Sequence, residues 1–76
     1  MIGEEEAKME VQINGNKHQL PKDATLLDVL AALKIPADRQ GIAIAVRASV
    51  VPRSEWPSHV LQPADSVEVV TAAQGG

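Results

Sequence analysis

From Met9 onward apolar and polar side chains alternate, with Glu10 and Gln12 separating Met9, Val11 and Ile13. A period of two puts alternate residues on opposite faces, so the spacing predicts a half-buried strand over 9–13. Asn14-Gly15-Asn16 follows, and because Asn and Gly accept positive φ it predicts a tight turn. A more polar strand over 17–20 completes a hairpin, and Pro21, with no backbone N–H to donate, stops it.

The period then changes. Leu26, Val29, Leu30 and Leu33 fall on one stripe at helical spacing. Thr25 is placed to cap this helix, with Asp28 three residues on, where a carboxylate suits the positive end of the helix dipole. Lys34 sits near the C-terminus, and Ile35-Pro36 ends the helix. After a polar loop through Gly41, residues 42–46 alternate large and small apolar side chains, the mark of a strand apolar on both sides and central in its sheet. Val50-Val51 predicts a short partner strand ended by Pro52. Residues 56–61 form a crossover, and 67–71 are the last strand, with Ala72-Ala73-Gln74-Gly75-Gly76 beyond it.

One helix and four or five strands must pack as one layer on another. The predicted class is α+β, a ubiquitin-like β-grasp with a mixed four- to five-stranded sheet on one main helix. The last strand is expected between the first strand and the 42–46 strand, parallel to the first. Residues 1–8 carry little apolar content and are expected to be a disordered acidic leader or a cloning remnant. The domain is expected over 9–71, with 72–76 as a flexible tail.

Composition narrows the function. With 76 residues, a domain of this size buries only about 60% of its unfolded surface, leaving little room for an enclosed pocket. Trp56 is the one aromatic residue, so Leu, Ile, Val and Ala must build the core, with Trp56 as a plug beneath the crossover. The absence of Cys excludes a disulfide scaffold, a thiolate metal site and a cysteine nucleophile. The formal charge of −3 lies mostly in residues 1–8, and no basic stripe marks a nucleic-acid binder. With no apolar run long enough for a membrane span and no signal peptide, the expected setting is the cytoplasm, and the expected state alone is a monomer.

Side-chain chemistry finds little support. His18 and His59 stand apart from any set of metal ligands, so no metal site is expected. Ser49, Ser54, Ser58 and Ser66 lack a paired base. Asp23, Asp28, Asp65 and Glu68 suit turn and cap positions better than acid–base work. The tail is different. Glycine has no Cβ, so Gly75-Gly76 can enter a narrow channel, and a carboxylate there can reach into another protein's active site.

Three stretches, in order, carry a family resemblance: Gly41-Ile42-Ala43-Ile44-Ala45-Val46, then Val50-Val51-Pro52-Arg53-Ser54-Glu55-Trp56, then Asp65-Ser66-Val67-Glu68-Val69-Val70 leading to Gln74-Gly75-Gly76. Across residues 9–76 the chain resembles the ThiS family of sulfur carriers in thiamin thiazole synthesis. The resemblance implies that a ThiF-like adenylyltransferase uses ATP to activate the Gly76 carboxylate. A sulfur donor such as a cysteine desulfurase then supplies the sulfur of a thiocarboxylate, which a ThiG-like thiazole synthase accepts. It implies no enzyme activity and no bound cofactor in this chain. Ala73, Gln74, Gly75 and Gly76 would enter partner active sites, and the exposed sheet face would dock, with Val51 and Val70 as candidates. Arg47-Ala48 stands where the family commonly has Asn-Gly, and Pro63-Ala64 where a Gly is common, which puts the geometry of both turns in question.

Other readings share the tail: the small subunit of molybdopterin synthase, and a tRNA-thiolation or ubiquitin-like carrier. A β-grasp binding module without carrier chemistry belongs to another class. It predicts a basic surface and fusion to further domains.

Overall fold

A computed structural model describes residues 8–72. The first hairpin pairs β1 (Lys8–Ile13) with β2 (Asn16–Pro21) in the register Met9↔Leu20 and Val11↔His18. Asn14 and Gly15 form its two-residue turn at φ 52 and 84, both in the left-handed region a twisted hairpin requires. Strand β1 begins at Lys8, inside the stretch expected to be a leader, and Pro21 is the last paired residue of β2 rather than the first beyond it.

Helix α1 (Leu26–Ala32) starts at Thr25, whose hydroxyl accepts from Leu27 N–H while Asp28 Oδ2 accepts from Thr25 N–H at 2.8 Å. The expected cap is thus a reciprocal capping box. The helix ends in a left-handed turn: Lys34 sits at φ 60, Ile35 N–H donates to Leu30 O at 2.9 Å, and Lys34 N–H donates to Ala31 O at 3.0 Å. Leu26, Val29 and Leu30 are buried, and Leu33 and Ile35 pack against the same core.

The remaining strands are β3 (Ile42–Val46), β4 (Ser49–Val51) and β5 (Ser66–Thr71), and a 3-10 segment, Arg53–Ser58, lies between β4 and β5. The sheet order is β2-β1-β5-β3-β4, with β5 parallel to β1 and antiparallel to β3. This is the β-grasp arrangement, with β5 between β1 and β3 as expected. It corrects one expectation: the middle strand is β5, and β3 is apolar in sequence but not buried on both faces. Ile44 and Val46 point into the core, whereas Ala43 is exposed and Ala45 half-buried.

Met9, Val11, Ile13, Ile44, Val67 and Val69 form the sheet side of the core, closed by α1 on the other. Trp56 plugs it at 2% exposure, and its indole N–H donates to Val51 O at 3.0 Å. That bond satisfies the polar atom a buried Trp brings with it. The crossover begins at Arg53, three residues before the expected start, because Pro52 can lead into a 3-10 turn. Among the described residues no helix is long and apolar enough to cross a membrane.

Candidate functional site

The strand that leads to the tail is paired on both of its sides. On its β3 side the ladder runs from Val46↔Val67 to Ile42↔Thr71, and Ala72 N–H donates to Gly41 O at 2.7 Å. Gly41 holds φ 78, a conformation L side chains avoid. On its β1 side pairing covers only Gln12↔Ser66 and Ile13↔Val67. One step further on, Val69 N–H donates to Asn14 Oδ1 at 2.8 Å. Ala73, Gln74, Gly75 and Gly76, the expected working residues, lie outside the described residues.

The sheet face turned away from the helix is divided. Its β1–β2 half is polar, with Glu10, Gln12, Lys17 and Gln19 exposed and Lys17 Nζ 4.0 Å from Glu10 Oε2. Such an exposed pair is weak. The other half is apolar. Val70, 61% exposed, lies opposite Ala43, and Val50, 75% exposed, lies opposite Ala45, which on its other side pairs with Glu68 of β5. Two alanines between two exposed valines leave a low surface on which another backbone can approach closely, with one carboxylate beside it.

Of the two docking candidates, Val70 is exposed on this face and Val51 is not. Val51 pairs with Ile44 on the core face and is 6% exposed, so its side chain is packed beneath the sheet. Its neighbour Val50 takes the outer position. The two-residue turn between β3 and β4 sets this parity, because Val46 pairs with Ser49. Both turn residues are left-handed, Arg47 at φ 50 and Ala48 at φ 69, so the turn keeps the Asn-Gly geometry without its residues. Ala64 likewise holds φ 70 where a glycine is common.

Other polar residues explain the frame around this face. Asp65 is 4% exposed; its Oδ2 accepts from Gln62 N–H at 2.8 Å and its Oδ1 pairs with the Arg47 guanidinium. The expected turn role of Asp65 is present, and the tie to Arg47 adds a link between two loops at one end of the sheet. His18 and His59 are half-buried on separate elements, and among the described residues no group of three His, Cys, Asp or Glu could hold a metal. A depression of about 220 Å³, floored by Met9 and Leu61 and rimmed by Lys8 and Lys22, opens at the end of the sheet away from the exit of β5. Among the described residues the arrangement offers an exposed surface and an anchored strand end.

Comparison with known proteins agrees with this geometry. A model of the ThiS family matches residues 9–76. The chain is similar to the crystal structure of a thiamine biosynthesis protein (ThiS) from Geobacter metallireducens, at 21% identity and a TM-score of 0.72, covering 90% of this chain and 100% of that one. It is also similar to the NMR solution structure of a thiamine biosynthesis protein from Geobacter metallireducens, at 21% identity and a TM-score of 0.71, over 90% of this chain and 88% of that one. No curated protein matches.

Proposed function

Since the chain belongs to the ThiS family, we propose that it carries sulfur on the Gly76 carboxylate for assembly of the thiamin thiazole. A carboxylate oxygen of Gly76 attacks the α-phosphorus of ATP in a ThiF-like adenylyltransferase, and pyrophosphate leaves. The persulfide sulfur of a donor such as a cysteine desulfurase then attacks the acyl carbon and AMP leaves. A thiol of the donor system reduces the acyl disulfide so formed, releasing a thiocarboxylate and becoming a disulfide itself. The resulting thiocarboxylate is a soft anion at neutral pH and transfers sulfur to a ThiG-like thiazole synthase without a base from the carrier. ATP is a substrate of the activating partner and not a cofactor of this chain. The reading places carrier and partners together in the cytoplasm.

The observation that carries the reading is the placing of β5. This strand leads directly to Gly75-Gly76, sits third of five in the sheet, and bears Val70 beside Ala43 on an exposed face. A partner that docks on that face has the strand end next to it. The domain supplies docking and delivery, and the partners supply catalysis.

The test is intact-mass spectrometry after incubation with a ThiF-like enzyme, ATP and sulfide. One oxygen of the chain should be replaced by sulfur, and deletion of Gly76 should abolish the change. Failure of adenylation and of sulfur incorporation with every such partner would overturn the reading. Rescue of a thiazole-synthesis deletion strain, and not of a molybdopterin one, assigns the pathway.

A further inference from the structure

Strand β5 is held unequally from its two sides at the point where the tail begins. The β3 ladder follows it to Thr71, and Gly41 O holds Ala72 beyond that. The β1 ladder stops at Ile13↔Val67, because the chain turns away at Asn14 and Gly15. Successive N–H groups of a strand face opposite sides, so Val69 N–H is the next donor turned toward β1. No backbone acceptor of β1 reaches it. Asn14 supplies one from its side chain, 55 residues away in sequence and 2.8 Å away in space.

Resting on the carrier reading, we propose that Asn14 is a positioning residue for the carboxyl tail. Its carboxamide extends the β1 side of the ladder by one step and prevents β5 from splaying about Val67. The backbone of Asn14 has a separate duty, since φ 52 there is needed for the hairpin turn. Glycine and aspartate satisfy that duty as well, so the turn alone does not explain the side chain.

The tail sets out from the end of β5, so a strand end displaced about Val67 displaces the point from which residues 73–76, with a reach of at most about 14 Å, enter a partner. A misplacement of about 1 Å at a reacting centre can cost about a hundredfold in rate. Docking on the sheet face, by contrast, uses Val50 and Val70, whose backbones are held from the β3 side.

Two measurements on the full chain test this: amide hydrogen exchange followed by NMR, and steady-state pyrophosphate release by a ThiF-like enzyme with ATP. Asn14→Gly should leave the fold intact, raise exchange at Val69 about tenfold, the equivalent of one neutral hydrogen bond, and leave the amides of β3 unchanged. It should lower kcat about tenfold with KM within about twofold, since docking is untouched. Asn14→Asp, which keeps an acceptor oxygen, should restore both. Unchanged exchange at Val69 in Asn14→Gly would overturn the proposal, as would faster exchange with an unchanged kcat, or an Asn14→Asp variant no better than the glycine. If the unaltered chain releases no pyrophosphate, the carrier reading falls, and exchange at Val69 still decides whether Asn14 holds the strand.

Discussion

The Arg53 guanidinium lies 4.5 Å from the centre of the Trp56 ring and donates past it to Ala37 O at 2.6 Å and Arg39 O at 2.7 Å. One side chain therefore joins the 3-10 segment, the core aromatic and the loop between α1 and β3. The Pro-Arg-x-x-Trp pattern is a staple: Pro52 starts the turn, Trp56 fills the core, and Arg53 fastens the loop over it.

Arg53→Ala should destabilise the domain by about 1–2 kcal/mol, from one cation–π contact and two hydrogen bonds, all partly open to solvent. Arg53→Lys should recover little of this, because an ammonium cannot reach two carbonyls with a planar fork while stacking on a ring. Urea denaturation followed by the fluorescence of Trp56, the one aromatic residue of the chain, measures both. A lysine variant as stable as the unaltered protein would show that charge alone matters here.

Among the described residues six that are not glycine hold a left-handed φ, and three of them, Lys34, Ala48 and Ala64, stand at separate turns. The left-handed conformation costs an L residue about 1–2 kcal/mol; glycine removes that cost, and the greater entropy of its unfolded chain offsets part of the gain. Lys34→Gly, Ala48→Gly and Ala64→Gly should each stabilise by about 1 kcal/mol, or about 4–8 °C in Tm for a domain this small. Far apart, they should be nearly additive. Ala45→Gly, within a strand, should destabilise instead and serves as the control.

Asp65 and Arg47 tie the turn after β3 to the loop before β5. Arg47→Ala leaves a 4%-exposed carboxylate with Gln62 N–H as its remaining partner and should cost about 1–3 kcal/mol. Asp65→Asn should cost a similar amount, since both oxygens now accept and one would become a donor facing a donor. Equilibrium denaturation of the two single variants and the double variant gives the coupling. A coupling energy near zero would show the pair to be incidental.

The fold was legible wherever a local pattern carries it. Alternation marked β1, helical spacing with Thr25 and Asp28 marked α1, and Asn14-Gly15 marked the first turn. Parity across the second turn was harder. Arg47-Ala48 lacks the residues that announce a two-residue turn, and without that count Val50 and Val51 are indistinguishable in sequence. The count itself was available: two turn residues after Val46 place Val50 outward. The bonds from Asn14 to Val69 and from Arg53 to Ala37 were not legible, because each joins residues that only the folded sheet brings together.

That parity makes a prediction with two opposite halves. Val70→Asp and Val50→Asp lie on the outer face and should change stability by no more than about 0.5 kcal/mol. If this face docks the adenylating partner, each should weaken binding about tenfold or more, as expected for a charge placed in an apolar contact. Val51→Asp should leave the chain unfolded, since it buries an unpaired carboxylate. Circular dichroism and titration calorimetry separate the two effects. Full binding by both outer variants would move the docking surface elsewhere.

The length of chain beyond the last anchor sets the final expectation. Gly41 O fixes Ala72, and residues 73–76 then allow a reach of at most about 14 Å. Deleting Ala73 shortens that reach by about 3.5 Å, more than an in-line attack on a phosphorus atom tolerates. Adding a leucine after Gly76 moves the carboxylate outward and puts a Cβ where the channel expects none. Both variants should fold with unchanged Tm, because both leave the core of residues 9–69 unaltered, and both should lose sulfur incorporation as read by intact mass. Because adenylation precedes sulfur addition, pyrophosphate release should fail in each as well. A leucine-extended chain that is still adenylated would show that activation does not require a terminal glycine.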